Sequence, residues 1–190
     1  MANKQALREL QSRLAERLQA ARTQVRGQSW LAIECRGRGF LLPLREAGEI
    51  FALAPLLPVP YSHRWFLGVA NLRGHLHGVV DLAGFLGLKA EEPGGREQQS
   101  RLVGFNQGLD INCVLMVDRL SGLRSEDDLA PEPAAHAIRP PFAGALLRDR
   151  AGRVWQELLL SELASDETFL GIAGRAPPAT PPADRPHEVI

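Results

Sequence analysis

The chain has almost no cysteine, no net charge and no long apolar run, and each shortage closes off a class of protein. Its 190 residues hold two cysteines, Cys35 and Cys113. Each sits in an apolar run, as suits a small buried hydrophobe, and two are too few for a disulfide framework. The 22 basic and 22 acidic residues cancel, so no global field gathers nucleic acid or anionic lipid. Charges run through Met1 to Arg22 and leave no apolar stretch for a signal peptide. Nothing in the chain approaches the ~18 consecutive apolar residues that span a bilayer. A cytoplasmic protein is therefore expected, with no nucleic-acid partner and no direct membrane insertion. Familiar catalytic signatures are missing too: no Gly-x-Ser-x-Gly, Walker or Cys-x-x-Cys pattern occurs.

What is present begins with a helical stripe. Leu7, Leu10, Leu14, Leu18, Ala21 and Val25 recur at helix spacing, with Arg8, Glu9, Arg13, Glu16, Arg17 and Arg22 on the other face. Residues 1–26 are thus expected to form an amphipathic helix, packed on its own domain or docked on a partner. After Gly27 the period changes to two. Residues 29–36 read as a strand, with Trp30, Ala32 and Glu34 opposite Leu31, Ile33 and Cys35. Phe40 to Leu44 read as a second strand, which Pro43 assigns to a sheet edge. Pro55, Pro58 and Pro60 forbid regular structure across the next connection.

Residues 66–73 and 75–80 read as strands divided by Gly74, followed by a helical turn from Asp81 to Leu88. Residues 89–100 are a polar loop and a candidate boundary between halves. Arg101 to Asn106 and Ile111 to Asp118 are expected as strands, residues 125–138 as a loop. Gly144 to Arg148 and Arg153 to Trp155 are expected as a hairpin, and Leu158 to Leu163 as a last helical turn. From residue 175 the proline-rich composition cannot bury enough surface to order itself. The chain so divides into a helix over 1–26, a domain over 27–174 and a tail over 175–190. Many short strands in two clusters predict a mostly β protein built as two small barrels.

Three chemical readings arise from the residues. His75 and His77 lie at i and i+2 on a strand, so with Asp81 they could share a metal and serve a small hydrolase. Cys35 as a nucleophile would need a nearby base, and the sequence shows none. In Gly68-Val-Ala-Asn-Leu-Arg-Gly74, by contrast, Val69, Asn71 and Arg73 share one face and Ala70 and Leu72 the other. Burying the second face presents Arg73 outward, where arginine commonly anchors an interface. A further alternative is a scaffold that oligomerises through the N-terminal helix.

The segment Leu67-Gly-Val-Ala-Asn-Leu-Arg-Gly-His-Leu-His-Gly-Val-Val-Asp-Leu82 also resembles the central signature of CheW-like coupling proteins of bacterial chemosensory systems. That signature runs Gly-Val-x-Asn-Leu-Arg-Gly, an apolar strand, then Pro-Val-x-Asp-Leu. Phe40-Leu-Leu-Pro-Leu44, Glu49-Ile50, Leu57-Pro-Val-Pro60 and Val114-Leu-Met-Val-Asp-Arg-Leu120 resemble further family elements in family order. The resemblance covers about residues 29–172. Gly78, Ala47 and Leu159 depart from the pattern, standing for Pro, Val and Asp. The N-terminal helix and the Trp155 to Ile172 segment look most like PilI-type members, which serve type IV pilus twitching motility.

The resemblance implies two SH3-like five-stranded β-barrels and a non-catalytic adaptor without cofactor. Its implied partners are a methyl-accepting chemoreceptor and the regulatory domain of a CheA-type histidine kinase. It assigns Asn71, Arg73 and Gly74 to the coupling surface with Glu49 beside them, and an ion pair between Glu49 and Arg73 is expected. Val69 and Asp81 complete the candidate protein-binding set, and Asp81 and Asp118 are also candidates for turn or strand-end hydrogen bonding.

Overall fold

The computed structural model describes residues 27–89, 99–133 and 139–174. The N-terminal helix over 1–26, most of the 89–100 loop and the tail over 175–190 lie outside the described residues. The alternating run after Gly27 forms strand β1 (Ser29–Cys35), and both of its faces are buried. Leu31, Ile33 and Cys35 point into one core, Trp30 and Ala32 into another. A tight turn at Arg36-Gly37 leads to β2 (Arg38–Pro43). The backbone N–H of Arg36 donates to Asp118 Oδ2 at 2.6 Å, which pins that turn.

The chain continues through β3 (Ala47–Ala52), β4 (Phe66–Leu72), β5 (His75–Asp81) and a helical turn α1 (Leu82–Phe85). Then come β6 (Arg101–Phe105), β7 (Cys113–Val117), β8 (Arg119–Ser125) and the short β9 (Leu129–Pro131). It closes with β10 (Ala143–Asp149), β11 (Val154–Leu158), α2 (Leu160–Leu163) and α3 (Glu167–Leu170). These strands form two sheets, one of six in the order β8-β1-β2-β11-β10-β9, the other of five in the order β3-β6-β7-β5-β4. The mostly β, two-sheet plan is the one expected, with six strands rather than five in the first sheet.

Two expectations are corrected. Strand β2 is central, not an edge: it pairs with β1 on one side and in parallel with β11 on the other. Pro43 is tolerated because the β11 ladder covers only Gly39 to Leu41, so no N–H is needed from Pro43 on that side. Nor does the 89–100 loop divide the sheets. The five-stranded sheet lies wholly within residues 47–117, whereas the six-stranded sheet joins β1 and β2 to strands after residue 118.

Three clusters of buried side chains follow from this arrangement. Trp30, Ala32, Leu41, Leu147 and Trp155 fill the six-stranded sheet. Ala70, Leu72, Val79, Leu102 and Val114 fill the five-stranded one. The largest cluster draws on both sheets and fuses them. There Phe169 of α3 meets Phe85 edge-on at 5.2 Å and Phe105 at 5.8 Å. Short helical turns after β11 thus pack their aromatic and aliphatic side chains into the core shared by the two sheets.

Candidate functional site

Strands β4 and β5 are joined by the two-residue turn Arg73-Gly74, with Leu72 opposite His75. Both turn residues have positive φ, 50° at Arg73 and 87° at Gly74. This is the hairpin turn whose twist matches its strands, and glycine at the second position adopts it without strain. Asn71 clasps the same turn: its Oδ1 accepts from the Gly74 N–H at 2.9 Å. Asn71 and Gly74 therefore shape the loop, while Arg73 is held at its tip.

Strands β3 and β4 stand at opposite ends of the five-stranded order. Yet the Arg73 Nη1 pairs with Glu49 Oε1 of β3. The Arg73 guanidinium also lies over the Phe51 ring, 5.9 Å from its centroid, and Phe51 meets His77 of β5 at 6.0 Å. The sheet is thus curled until its far edge meets the β4–β5 turn, and the Glu49–Arg73 pair marks the seam. An irregularity in the β3–β6 register between Ala47 and Ile50 falls at Glu49, as bulges do where an edge is re-aimed. The pair is in solvent, with side chains 74% exposed at Arg73 and 42% at Glu49. A groove of about 640 Å³ opens beside it, lined by Glu49, Phe51, Arg73, His75 and His77 and by Asn106, Gln107 and residues 110–112.

The remaining sequence candidates sit elsewhere. Val69 is half-buried against the shared core, and its backbone exchanges hydrogen bonds with Leu57 at 2.8 and 2.9 Å. Its face of β4 is therefore covered at Val69 and open only at Asn71 and beyond. Asp81 ends β5, six residues past His75 and so about 20 Å along the strand from the turn. It pairs with Arg36 at 3.3 Å, which together with the Asp118 contact ties both aspartates to the β1–β2 turn. The metal reading fails on the same geometry: Asp81 is remote from His75 and His77. No group of three His, Cys, Asp or Glu converges among the described residues. Burial pushes the thiols of Cys35 and Cys113 up to about 12, which makes both inert at neutral pH.

One site escaped the sequence. Glu34 of β1 is buried, with its side chain 8% exposed. It accepts from Arg153 Nη1 and Arg119 Nη2 at 2.7 Å each and from Ser121 Oγ at 2.6 Å. Burial alone would raise its pKa. The hydrogen bonds from Arg153, Ser121 and Arg119 outweigh that and bring it down to about 2. Its partners lie 85 to 119 residues away. The only local hint was a carboxylate inside an apolar strand.

The matches to known proteins agree with this architecture. The model of the CheW-like domain family matches residues 29–168. Protein PilI of Pseudomonas aeruginosa is 31% identical over 167 residues, covering 85% of this chain and 89% of its own. Chemotaxis protein CheW of Rhizobium meliloti is 31% identical over 115 residues, 56% of this chain and 68% of its own. The crystal structure of scaffolding protein TtCheW from Thermoanaerobacter tengcongensis superposes with a TM-score of 0.57 at 18% identity. It covers 70% of this chain and 88% of that one, and it speaks to the fold. With a family model over most of its length and a relative matched nearly end to end, the chain belongs to the family of CheW-like domain proteins.

Proposed function

We propose that this protein is a non-catalytic, cytoplasmic adaptor that couples a methyl-accepting chemoreceptor to a CheA-type histidine kinase in type IV pilus twitching motility. The observation that carries this reading is the exposed Glu49–Arg73 pair held at the barrel seam by the Asn71–Gly74 turn, beside an open groove. Similarity to PilI over nearly the whole chain supports the twitching branch. The role is geometric. A tight turn and a curled sheet fix a charged tip in orientation, and the adaptor holds receptor and kinase in register so that receptor changes reach the kinase. No cofactor takes part. An exposed pair adds only ~0.2–1 kcal/mol to folding, so its value lies in the surface it presents.

The test is capture of the cognate kinase's regulatory domain by the full chain, compared between wild type and Arg73→Glu. Wild type should capture it and the variant should lose it while remaining folded. The charge-swapped Glu49→Arg, Arg73→Glu double variant should recover part of the signal. Equal capture by wild type and Arg73→Glu would overturn the assignment.

A further inference from the structure

A second groove, of about 670 Å³, lies on the opposite chemistry. Four guanidiniums line it, those of Arg101, Arg119, Arg124 and Arg153, against two carboxylates, Glu34 and Asp149. Both carboxylates are already engaged. Glu34 takes Arg119 and Arg153. Asp149 accepts the Trp155 indole N–H at 2.9 Å and the backbone N–H groups of Ala151 and Arg153, each at 2.9 Å. These bonds, the indole's first, hold its carboxyl below the usual carboxylate range.

Two cations make no ion pair of their own, although Arg124 lies within the field of Asp149 and Asp128. Arg124 donates only to the carbonyls of Ser121 and Leu123, at 3.1 and 3.0 Å. Arg101 donates to the carbonyl of Ser100 at 2.8 Å. Neither makes an ion pair with any described carboxylate. They reach the groove from different sheets, Arg124 from β8 and Arg101 from the start of β6. The groove is also pre-organised. Arg153 and Arg124 lie over the buried Trp155 ring at 4.4 and 5.4 Å. Guanidiniums stacked in this way lose less freedom when they bind a carboxylate.

We propose that this groove receives an acidic segment of a partner protein, with two of its carboxylates answering Arg101 and Arg124. Charge complementarity selects that occupant. A polyphosphate or nucleic-acid strand would bring a dense row of charge past Glu34 and Asp149, and the chain as a whole has no net positive charge to recruit it. Four guanidiniums against two fixed carboxylates leave an excess of two positive charges, which suits spaced side-chain carboxylates instead. The surface is separate from the Glu49–Arg73 seam and does not depend on its role.

The test is fluorescence anisotropy of a labelled, end-capped tetraglutamate peptide titrated with the full-length protein. Wild type should bind saturably, with affinity falling as salt rises. Arg101→Gln with Arg124→Gln should weaken binding by about tenfold or more, and Arg101→Gln alone by less. Arg45→Gln, at another exposed arginine, should change nothing. Absence of saturable binding, equal binding by the double variant with an unchanged melting curve, or tripolyphosphate or an octathymidylate binding as tightly as the peptide would each overturn the proposal. A Glu91→Gln, Glu92→Gln, Glu97→Gln variant separates the chain's own carboxylates from a partner's. Unchanged affinity supports a partner, whereas peptide binding that emerges only in this variant overturns it. The readout is the peptide alone, so the result stands apart from whether Arg73→Glu loses the kinase.

Discussion

The two sheets each carry an arginine–glutamate contact, and burial makes them opposite devices. In the six-stranded sheet, Glu34 is enclosed and clamped by Arg119 of β8 and by Arg153 just before β11, so the contact ties β1 to both. In the five-stranded sheet, Glu49 and Arg73 meet in solvent across the seam, so the contact contributes little to folding and much to what the surface displays. The same two residue types therefore organise the interior in one sheet and stand in solvent in the other. The difference lies in solvent access, which sets the strength of the field between the charges.

The comparison can be broken most forcefully at the buried end. Trp155→Ala removes one of the two tryptophans of the six-stranded core, the one under the stacked Arg153 and Arg124. It is expected to cost ~3–5 kcal/mol in urea unfolding. Glu34→Gln comes next. The drop of its carboxyl from 4.5 to about 2 corresponds to about 3 kcal/mol. Solvent around the half-exposed Arg119 trims this to ~2 kcal/mol. Because the folded carboxyl titrates lower than the unfolded one, this stability is complete above pH 4.5 and is lost as pH falls from 4.5 towards 2. Urea midpoints across that range should fall more steeply for wild type than for Glu34→Gln, and parallel slopes would contradict the clamp.

Gly39→Ala sharpens the same contrast at smaller scale. A Cβ there would lie 2.5 Å from the Trp155 ring. The expected cost is ~1–3 kcal/mol, relieved in a Gly39→Ala, Trp155→Leu pair measured in the same way. Arg73→Glu stands at the far end, with a change of ~0.2–1 kcal/mol in stability and loss of kinase capture. A large destabilisation by Arg73→Glu would mean that the seam, too, is structural.

The sequence made legible whatever depended on local pattern. Strands β1, β4, β5, β6 and β7 and the β10–β11 hairpin follow alternation and turn residues, and the Asn71–Gly74 turn follows from its own chemistry. Strand β3 was not read as a strand, and β8 and β9 were hidden. Arg119 to Ser125 is polar with a glycine inside, and Leu129 to Pro131 is three residues long, so both are strands because of the neighbours they pair with. Placement suffered for the same reason. Pro43 suggested an edge because the parallel partner of β2 arrives more than a hundred residues later. At the candidate site, Glu49 and Arg73 were joined through resemblance, whereas Glu34 and its arginines come together only through long-range sheet order. Val69 was assigned outward by alternation, and its side chain packs instead against the core shared by the two sheets.

The interleaving of the sheets has a consequence for synthesis. All strands of the five-stranded sheet are available once residue 117 has left the ribosome, whereas β2 must wait for β11, which ends at Leu158. Nascent chains halted between residues 117 and 152 hold every strand of the five-stranded sheet, with Glu49 and Arg73, while Glu34 still lacks Arg153. The strands that bring Glu49 to Arg73 are thus made before the segment that completes the enclosure of Glu34.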